Sequence, residues 1–401
     1  NTIFKRLRRN VFWSEMKRIY LDYAATTPLD PEVFEKMKIF ASRIFGNPSS
    51  LHFFGREAGK ALDESRKQIA SLINAKSEEI IFTSGGTESD NLAIKGVAFA
   101  NRKKGNHIIT STIEHRAVHE TCKYLKTCGF DISYVGTDND GIVRPDEIKK
   151  ALKKDTILIS IMHANNEIGS IQPIEEIGKL AREYGIIFHT DAVQSIGHIG
   201  TDVEMLNVDL LSASAHKFYG PKGVGFLYKK NGIILASQIH GGSHEFGLRA
   251  STQNLPGIAG MAHALAIAVR ELHAESKRQT YLRDRLINGI LDNIADTKLN
   301  GHRTQRLPNN ANLSFSFVEG EAILLGLDFE GIATSSGSAC SSSSFAPSHV
   351  LEAIGLDVET ARSSVRFSLG KYTTEEDIDF TINSLKKIIT RLRKMSPLCR
   401  N

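Results

Sequence analysis

Between about Ile80 and Tyr228, short apolar runs alternate with stretches of helical periodicity. The runs "EIIFTS" (79–84), "HIITS" (107–111), "ISYV" (132–135), "TILISIMH" (156–163), "GIIFHTD" (185–191), "VDLLSASAH" (208–216) and "GVGFLY" (223–228) predict seven strands. Several are continuously apolar rather than alternating, the pattern of strands buried on both faces of a mostly parallel sheet. Segments 87–104 and 173–185 have the spacing of the helices that would cover it. Two further helices are predicted over 31–45 and 55–73, and a long helical pattern, with room for one break, over 254–295. The polar stretch "GHRTQRLPNN" (301–310) predicts a domain boundary. Beyond it, strand 312–318, helix 320–328, strand 331–335, helix 347–355, strand 363–369 and helix 374–394 predict a small α+β unit. The chain therefore reads as α/β: an extension over 1–18, a large domain over 19–300 and a small domain over 301–401. The helix at 31–45 is left free to pack with the small domain.

Composition narrows the class. A chain of 401 residues is too long for one small core. Its 41% hydrophobic and 24% charged residues are ordinary for a globular protein. No apolar run approaches the ~18 residues of a bilayer span, so no membrane role and a cytoplasmic location are expected. The formal charge is +5, and Lys5, Arg6, Arg8 and Arg9 face only Glu15 at the start of the chain. The remainder is close to neutral, which argues against direct nucleic-acid binding. Residues 1–15 precede Met16 and read as an upstream start or a disordered tail, with only a faint likeness to a transit peptide. The cysteines are Cys122, Cys128, Cys340 and Cys399. None are spaced as CxxC, which disfavours a zinc site or a thioredoxin-type motif. They are too sparse for a disulfide framework, which fits a reducing compartment.

Chemistry in open α/β sheets collects at the carboxyl ends of the strands, and the polar clusters of this chain lie there. In "SGGTE" (84–88) a strand runs into two glycines and a helix start, so Gly86 and Thr87 would offer an anion site or a plain helix cap. "HTDAVQS" (189–195) places Asp191 and Gln194 after a strand, where the acid needs a cationic partner or caps the next helix. "SASAHK" (212–217) brings Ser214, His216 and Lys217 to another strand end, the lysine either solvated or aimed into a cleft as a Schiff-base amine. "EHRAV" supplies His115, four residues from His119; a metal pair lacks a third ligand at suitable spacing, and ring stacking or proton transfer suits the other motifs better. An anion cradle, a lysine, an acid and a flat histidine on one sheet are what pyridoxal phosphate requires. Cys340 lies in "ATSSGSACSSSSFAPSH", a loop too small and polar to build a core, as suits a thiol that travels and reacts.

The motifs "YLDYAATTP", "FGNPSS", "FTSGGTESDNLAIKG", "EHRAV", "SIMHANNEIGSIQPI", "HTDAVQS", "SAHKFYGPKGVG", "HGGSHEFGLR", "SSGSAC" and "VRFSLGKYTTEEDID" occur in the order seen in NifS/IscS-type cysteine desulfurases. The chain resembles that family over roughly 19–398, and "SSGSAC" resembles its branch with a long mobile cysteine loop. The resemblance implies a fold-type I pyridoxal-phosphate transferase acting as a homodimer on L-cysteine. It implies alanine and a Cys340 persulfide as products, with sulfur passed to an iron–sulfur scaffold protein or to tRNA-thiolation proteins. By motif, Lys217 would be the Schiff-base lysine, Asp191 would face the pyridine nitrogen, Gln194 the ring hydroxyl, and His115 would stack on the ring and move protons. Gly86, Thr87, Ser214 and His216 would hold the phosphate, and Thr252 would reach that of the neighbouring subunit. Asn166 and Arg366 would hold the substrate carboxylate with Asn47 nearby, and Cys340 would be the nucleophile and a transient iron–sulfur ligand. The chain departs from the family pattern in three places. "LRAST" stands where "LRSGT" is usual, Gly86 stands where alanine is common, and the chain ends at "SPLCRN" where many relatives carry a scaffold-docking tail, so that docking is not carried over. A selenocysteine lyase, an aminotransferase and a non-catalytic scaffold subunit are the competing readings. An aminotransferase has no use for Cys340, and a scaffold would have shed Lys217 or Cys340.

Overall fold

The computed structural model describes residues 17–336 and 347–396, so Cys340, Cys399 and residues 1–16 lie outside the described residues. In chain order, β1 (Ile19–Tyr20) leads to α1 (Pro31–Ser42) and α2 (Phe53–Leu72). An alternating run follows: β2 (Ile80–Thr83), α3 (Gly86–Asn101), β3 (His107–Ser111), α4 (Arg116–Thr127), β4 (Asp131–Val135), α5 (Pro145–Ala151), β5 (Thr156–Ser160), α6 (Ile174–Glu183), β6 (Ile187–Asp191), β7 (Leu210–Ser214) and β8 (Gly225–Lys229). Then come α7 (Leu255–Asn293), β9 (Thr297–Asn300), β10 (Asn310–Phe315), α8 (Gly320–Phe329), β11 (Ile332–Ala333), α9 (His349–Ala353), α10 (Val358–Arg362), β12 (Ser364–Ser368) and α11 (Glu375–Met395).

All seven strands predicted from the apolar runs form one sheet, in the order β2-β8-β7-β6-β5-β3-β4. It is parallel except at β8, which runs antiparallel to both β2 and β7. Neighbouring strand residues point to opposite faces and feed two cores. Phe82, Ile109, Ile159, Leu211 and Phe226 pack beneath α1, α2, α6 and the first half of α7. Ile81, Ile108, Leu158, Leu210 and Leu227 pack beneath α3 and α4. Burial on both faces explains the continuous apolar runs, since strands such as β2, β3 and β7 leave no position for solvent, whereas the edge strand β4 exposes Asp131.

The smaller unit is a three-stranded sheet, β12-β10-β9, covered by α8, α11 and the second half of α7. The boundary predicted at residue 301 cuts through it. Thr297–Asn300 lies before that residue yet pairs with β10, and Ile19, Leu21, Leu282, Leu286 and Ile290 belong to its core. The polar stretch 301–310 is instead the β9–β10 connection, held down by Arg306. That guanidinium is 3% exposed and donates to the carbonyls of Ile168 and Asn310. The helix begun at Pro31 packs with the large unit, not the small one, because Val33 and Phe40 face the main core. The break allowed for in the long helix does not occur, and α7 runs unbroken for 39 residues. It also holds an apolar window as long as a bilayer span, which the reading of the sequence excluded. That window is core: Ile258, Met261 and Leu265 are buried in the large unit. The strand expected at 331–335 shortens to β11, which pairs in parallel with β1 rather than joining the main small sheet.

Candidate active site

The carboxyl ends of β2, β3, β5, β6 and β7 converge on a cavity of about 280 Å³, closed from the small unit by β12. Among the described residues it is lined by Gly86, Thr87, His115, Asn166, Asp191, Gln194, Ser214, His216, Lys217 and Arg366, ten residues that the sequence singled out. They come from six separate segments of the chain; five meet because a mostly parallel sheet brings its strand ends to one edge, and β12 of the small sheet adds Arg366.

Helix α3 starts at Gly86 without a side-chain cap on its first amides, which leaves the donors of Gly86 and Thr87 for a ligand at the cavity wall. Gly86 also permits a close approach: a Cβ there would come within 2.6 Å of Val193 Cγ2. Ser214 and His216 border the same corner. Burial, then Lys217 and Lys222, hold the His216 imidazole down to about 4, so it is neutral, with Nδ1 3.1 Å from Thr26 Oγ1.

Lys217 Nζ donates to the carbonyls of Ala24 (2.6 Å) and Ala25 (2.8 Å), and Gln194 Nε2 donates to the same Ala24 carbonyl at 3.0 Å. The loop after β1 is thus the seat of the amine. Asp191 ends β6 and is buried; its Oδ1 accepts from the Val193 N–H at 2.9 Å. Burial pushes this carboxyl up, while His115 and Lys217 pull it down. His115 caps α4, its Nδ1 accepting from the Ala117 N–H at 3.1 Å. That bond fixes the tautomer with the proton on Nε2, and burial keeps the ring neutral by lowering its pKa.

Arg366 projects from β12 into the cavity and is 2% exposed. Its Nη1 donates to the Asn166 carbonyl (2.8 Å) and its Nη2 to Asp22 Oδ1 (2.8 Å). Asn166 therefore serves the arginine through its backbone as well as bordering the cavity. Asn47 is not brought to the site. It is exposed, and its Oδ1 accepts from the Ser49 N–H in a local turn. Thr252 lines a separate cavity of about 150 Å³ with Thr83, Ser84, Gly223 and Arg249. Cys340 lies outside the described residues.

Beside Thr252, Ser251 occupies the position of the usual glycine and adopts φ +105°, a conformation that costs an L-residue about 1–2 kcal/mol. The chain keeps the glycine geometry without the glycine. Ser251→Gly is expected to raise stability by about 0.5–1 kcal/mol, relief of strain outweighing the added freedom of the unfolded chain. Denaturant unfolding of the two proteins checks this.

Five titratable lining residues were not singled out from the sequence: Asp90, Glu114, Glu167, His349 and Arg116. Asp90 carried a legible signal, because it lies one helical turn after Gly86 and so shares its face. Asp22 stood within a quoted motif, but nothing in "LDYAATT" indicates a partner 344 residues away.

The fold and site are those of a pyridoxal-phosphate enzyme of the aminotransferase kind, and the sequence model of the class-V aminotransferase family matches residues 19–380. The chain belongs to that family, in its cysteine desulfurase branch. It is 60% identical over 383 residues to a cysteine desulfurase IscS of Dictyoglomus turgidum, covering 95% of this chain and 97% of that one. It is 52% identical over 385 residues to one of Methanosarcina thermophila, covering 96% and 95%. Among solved structures, a NifS-like protein superposes with a TM-score of 0.88 at 40% identity, over 94% of this chain and 100% of the other. A structure described as SspA in complex with cysteine superposes with a TM-score of 0.79 at 39% identity, over 89% and 100%.

The residues present fit pyridoxal phosphate. Uncapped amides at a helix start suit its phosphate, an amine seated on carbonyls suits its aldehyde, and a buried carboxylate suits its ring nitrogen.

Proposed function

We propose that the chain is a cysteine desulfurase that releases alanine from L-cysteine and takes the sulfur as a persulfide on Cys340. The observation that carries this is the meeting of Lys217, Asp191, the α3 N-terminus and Arg366 in one cavity of a chain from this family. Pyridoxal phosphate, when bound, supplies a carbonyl for the substrate amine and a ring that withdraws electrons from the substrate carbons.

The remaining work belongs to the protein. The amides of Gly86 and Thr87, with Ser214 and His216, would hold the phosphate. Asp191 would hold the proton at the ring nitrogen, and Gln194 would lie against the ring hydroxyl. His115, neutral with its proton on Nε2, has one donor to offer over the ring face. Arg366 would take the substrate carboxylate, its guanidinium braced by Asp22 and the Asn166 carbonyl. Lys217 Nζ would carry the substrate Cα proton. The Cys340 thiolate would then attack the substrate sulfur: an S–S bond forms, the C–S bond breaks, its electron pair stays with the carbon, and a proton from Lys217 completes alanine.

The test incubates purified protein with L-cysteine, assays alanine, and weighs the peptide that holds Cys340. Alanine together with a gain of one sulfur on that peptide is the expected result; bound cofactor without alanine overturns the reading. Asp22→Asn should raise KM for L-cysteine about tenfold with a smaller change in kcat, since it loosens the carboxylate-binding guanidinium and leaves the amine and the acid in place. Steady-state kinetics separate the two.

The same reading includes a homodimer in which Thr252 reaches the partner's cofactor. Phe45 (65% exposed) and Phe53 (60%), whose rings lie 5.3 and 3.9 Å from that of Phe54, form an exposed apolar cluster that supports a partner surface. The persulfide would pass to an iron–sulfur scaffold protein or another sulfur acceptor.

A further inference from the structure

Behind Asp191 lies a second acid. Asp90, in the second turn of α3, is 1% exposed. A carboxylate oxygen of Asp90, a ring nitrogen of His115 and a carboxylate oxygen of Asp191 all lie within 4.8 Å of one another. Among the described residues, Asp90 Oδ1 has no hydrogen-bond partner. The nearest basic group, His189 Nε2, is 3.7 Å away and is already engaged: it lies 3.0 Å from Ser212 Oγ, while Nδ1 lies 2.8 Å from Ser160 Oγ. Burial holds His189 down to about 3, so it brings no charge.

Two carboxylates this close in a dry site cannot both be ionised. The surroundings decide which keeps the proton. Asp191, on β6, accepts the Val193 amide and faces Lys217 from the end of β7 and His115 from the start of α4. Asp90 has Ser212 of β7 to ease its charge, and Asp191 and Glu114, from the β3–α4 loop, to oppose it. Glu114 is itself buried and pushed up to about 8 by burial, which leaves it neutral at pH 7. Burial, and then the charge on Asp191, drive the Asp90 carboxyl well above the ordinary carboxylate range.

We propose that Asp90 is a positioning residue of the cofactor site: a neutral carboxylic acid that backs Asp191 and leaves Asp191 as the single negative charge facing the ring nitrogen. This rests on the cofactor reading above. Turned toward Asp191, the O–H of a protonated Asp90 would make that carboxylate a weaker base. The ring nitrogen then keeps its proton, and the ring its electron-withdrawing power.

The test titrates the visible band of the cofactor-loaded protein against pH in the wild type, Asp90→Asn and Asp90→Leu. Asparagine keeps a donor and the neutral charge, so its midpoint should stay with the wild type. Leucine removes the donor, Asp191 becomes more basic, and the midpoint should rise by about one pH unit or more. A midpoint that falls in both variants means that Asp90 was ionised and overturns the proposal; a leucine midpoint that stays with the wild type does the same. An infrared measurement needs neither the leucine variant nor the cofactor. A protonated-carboxyl stretch at neutral pH should be present in the wild type and diminished in Asp90→Asn, and two identical spectra overturn the proposal. A wild-type protein that takes up no cofactor would sink the cofactor reading instead, and the infrared result would still decide the state of Asp90.

Discussion

Lys217→Ala protein is expected to purify without the visible colour of bound cofactor and to form alanine from L-cysteine at least about a thousandfold more slowly than the wild type. The size of the effect follows from the lining. Among the described residues that border the cavity Lys217 is the only lysine, and its amine is drawn there by the Ala24 and Ala25 carbonyls. Alanine removes the group that would anchor the cofactor and the group that would move the Cα proton, two losses from one substitution. Absorbance after gel filtration and an alanine assay report them separately. A variant that stayed coloured and turned over normally would remove Lys217 from both roles.

Cys340→Ser should behave oppositely in colour and alike in activity. The cofactor band stays, alanine formation falls by about a hundredfold or more, and no peptide gains a sulfur, because a hydroxyl does not replace a thiolate as a nucleophile toward sulfur. The other described cysteines cannot deputise. Cys122 faces the core from α4, and burial pushes its thiol up to about 12, so at neutral pH it is almost wholly protonated. Cys128 ends the same helix, away from the cavity. Normal turnover by Cys340→Ser would rule the thiol out of the mechanism.

What the sequence disclosed, and what it hid, divides along physical lines. The seven strands were legible because burial on both faces writes a continuous apolar run, as in Ile80–Phe82 and Ile157–Ile159. Asp191, Lys217 and His115 were legible because each follows such a run, where a polar residue needs a reason. The domain boundary was not. Arg306 and its polar neighbours resemble a linker until their partners, the Ile168 and Asn310 carbonyls, are in view. Asp22 was hidden for a related reason, and for Asp90 only its place on the Gly86 face was legible, not its partner. Their significance lies in Arg366 and Asp191, partners that distance along the chain conceals. Asn47 was misplaced because it came from motif likeness alone, whereas its side chain serves a turn.

The small unit is closed by the opposite end of the chain. β1 pairs with β11, Ser368 donates its N–H to the Leu21 carbonyl, and Ile19 and Leu21 fill the core beneath β10 and β12. On a ribosome these partners are made about 300 residues apart, which at ~5–20 residues per second is roughly 15–60 s. Before that interval ends the large sheet has all seven of its strands, while Ile19 and Leu21 still lack β10, β11 and β12 to cover them. The nascent protein thus carries an apolar, strand-forming tag until β11 and β12 have been made. A chain cut short before β11 would keep that tag exposed, which gives quality-control chaperones and proteases a physical means of telling a truncated copy from a finished one.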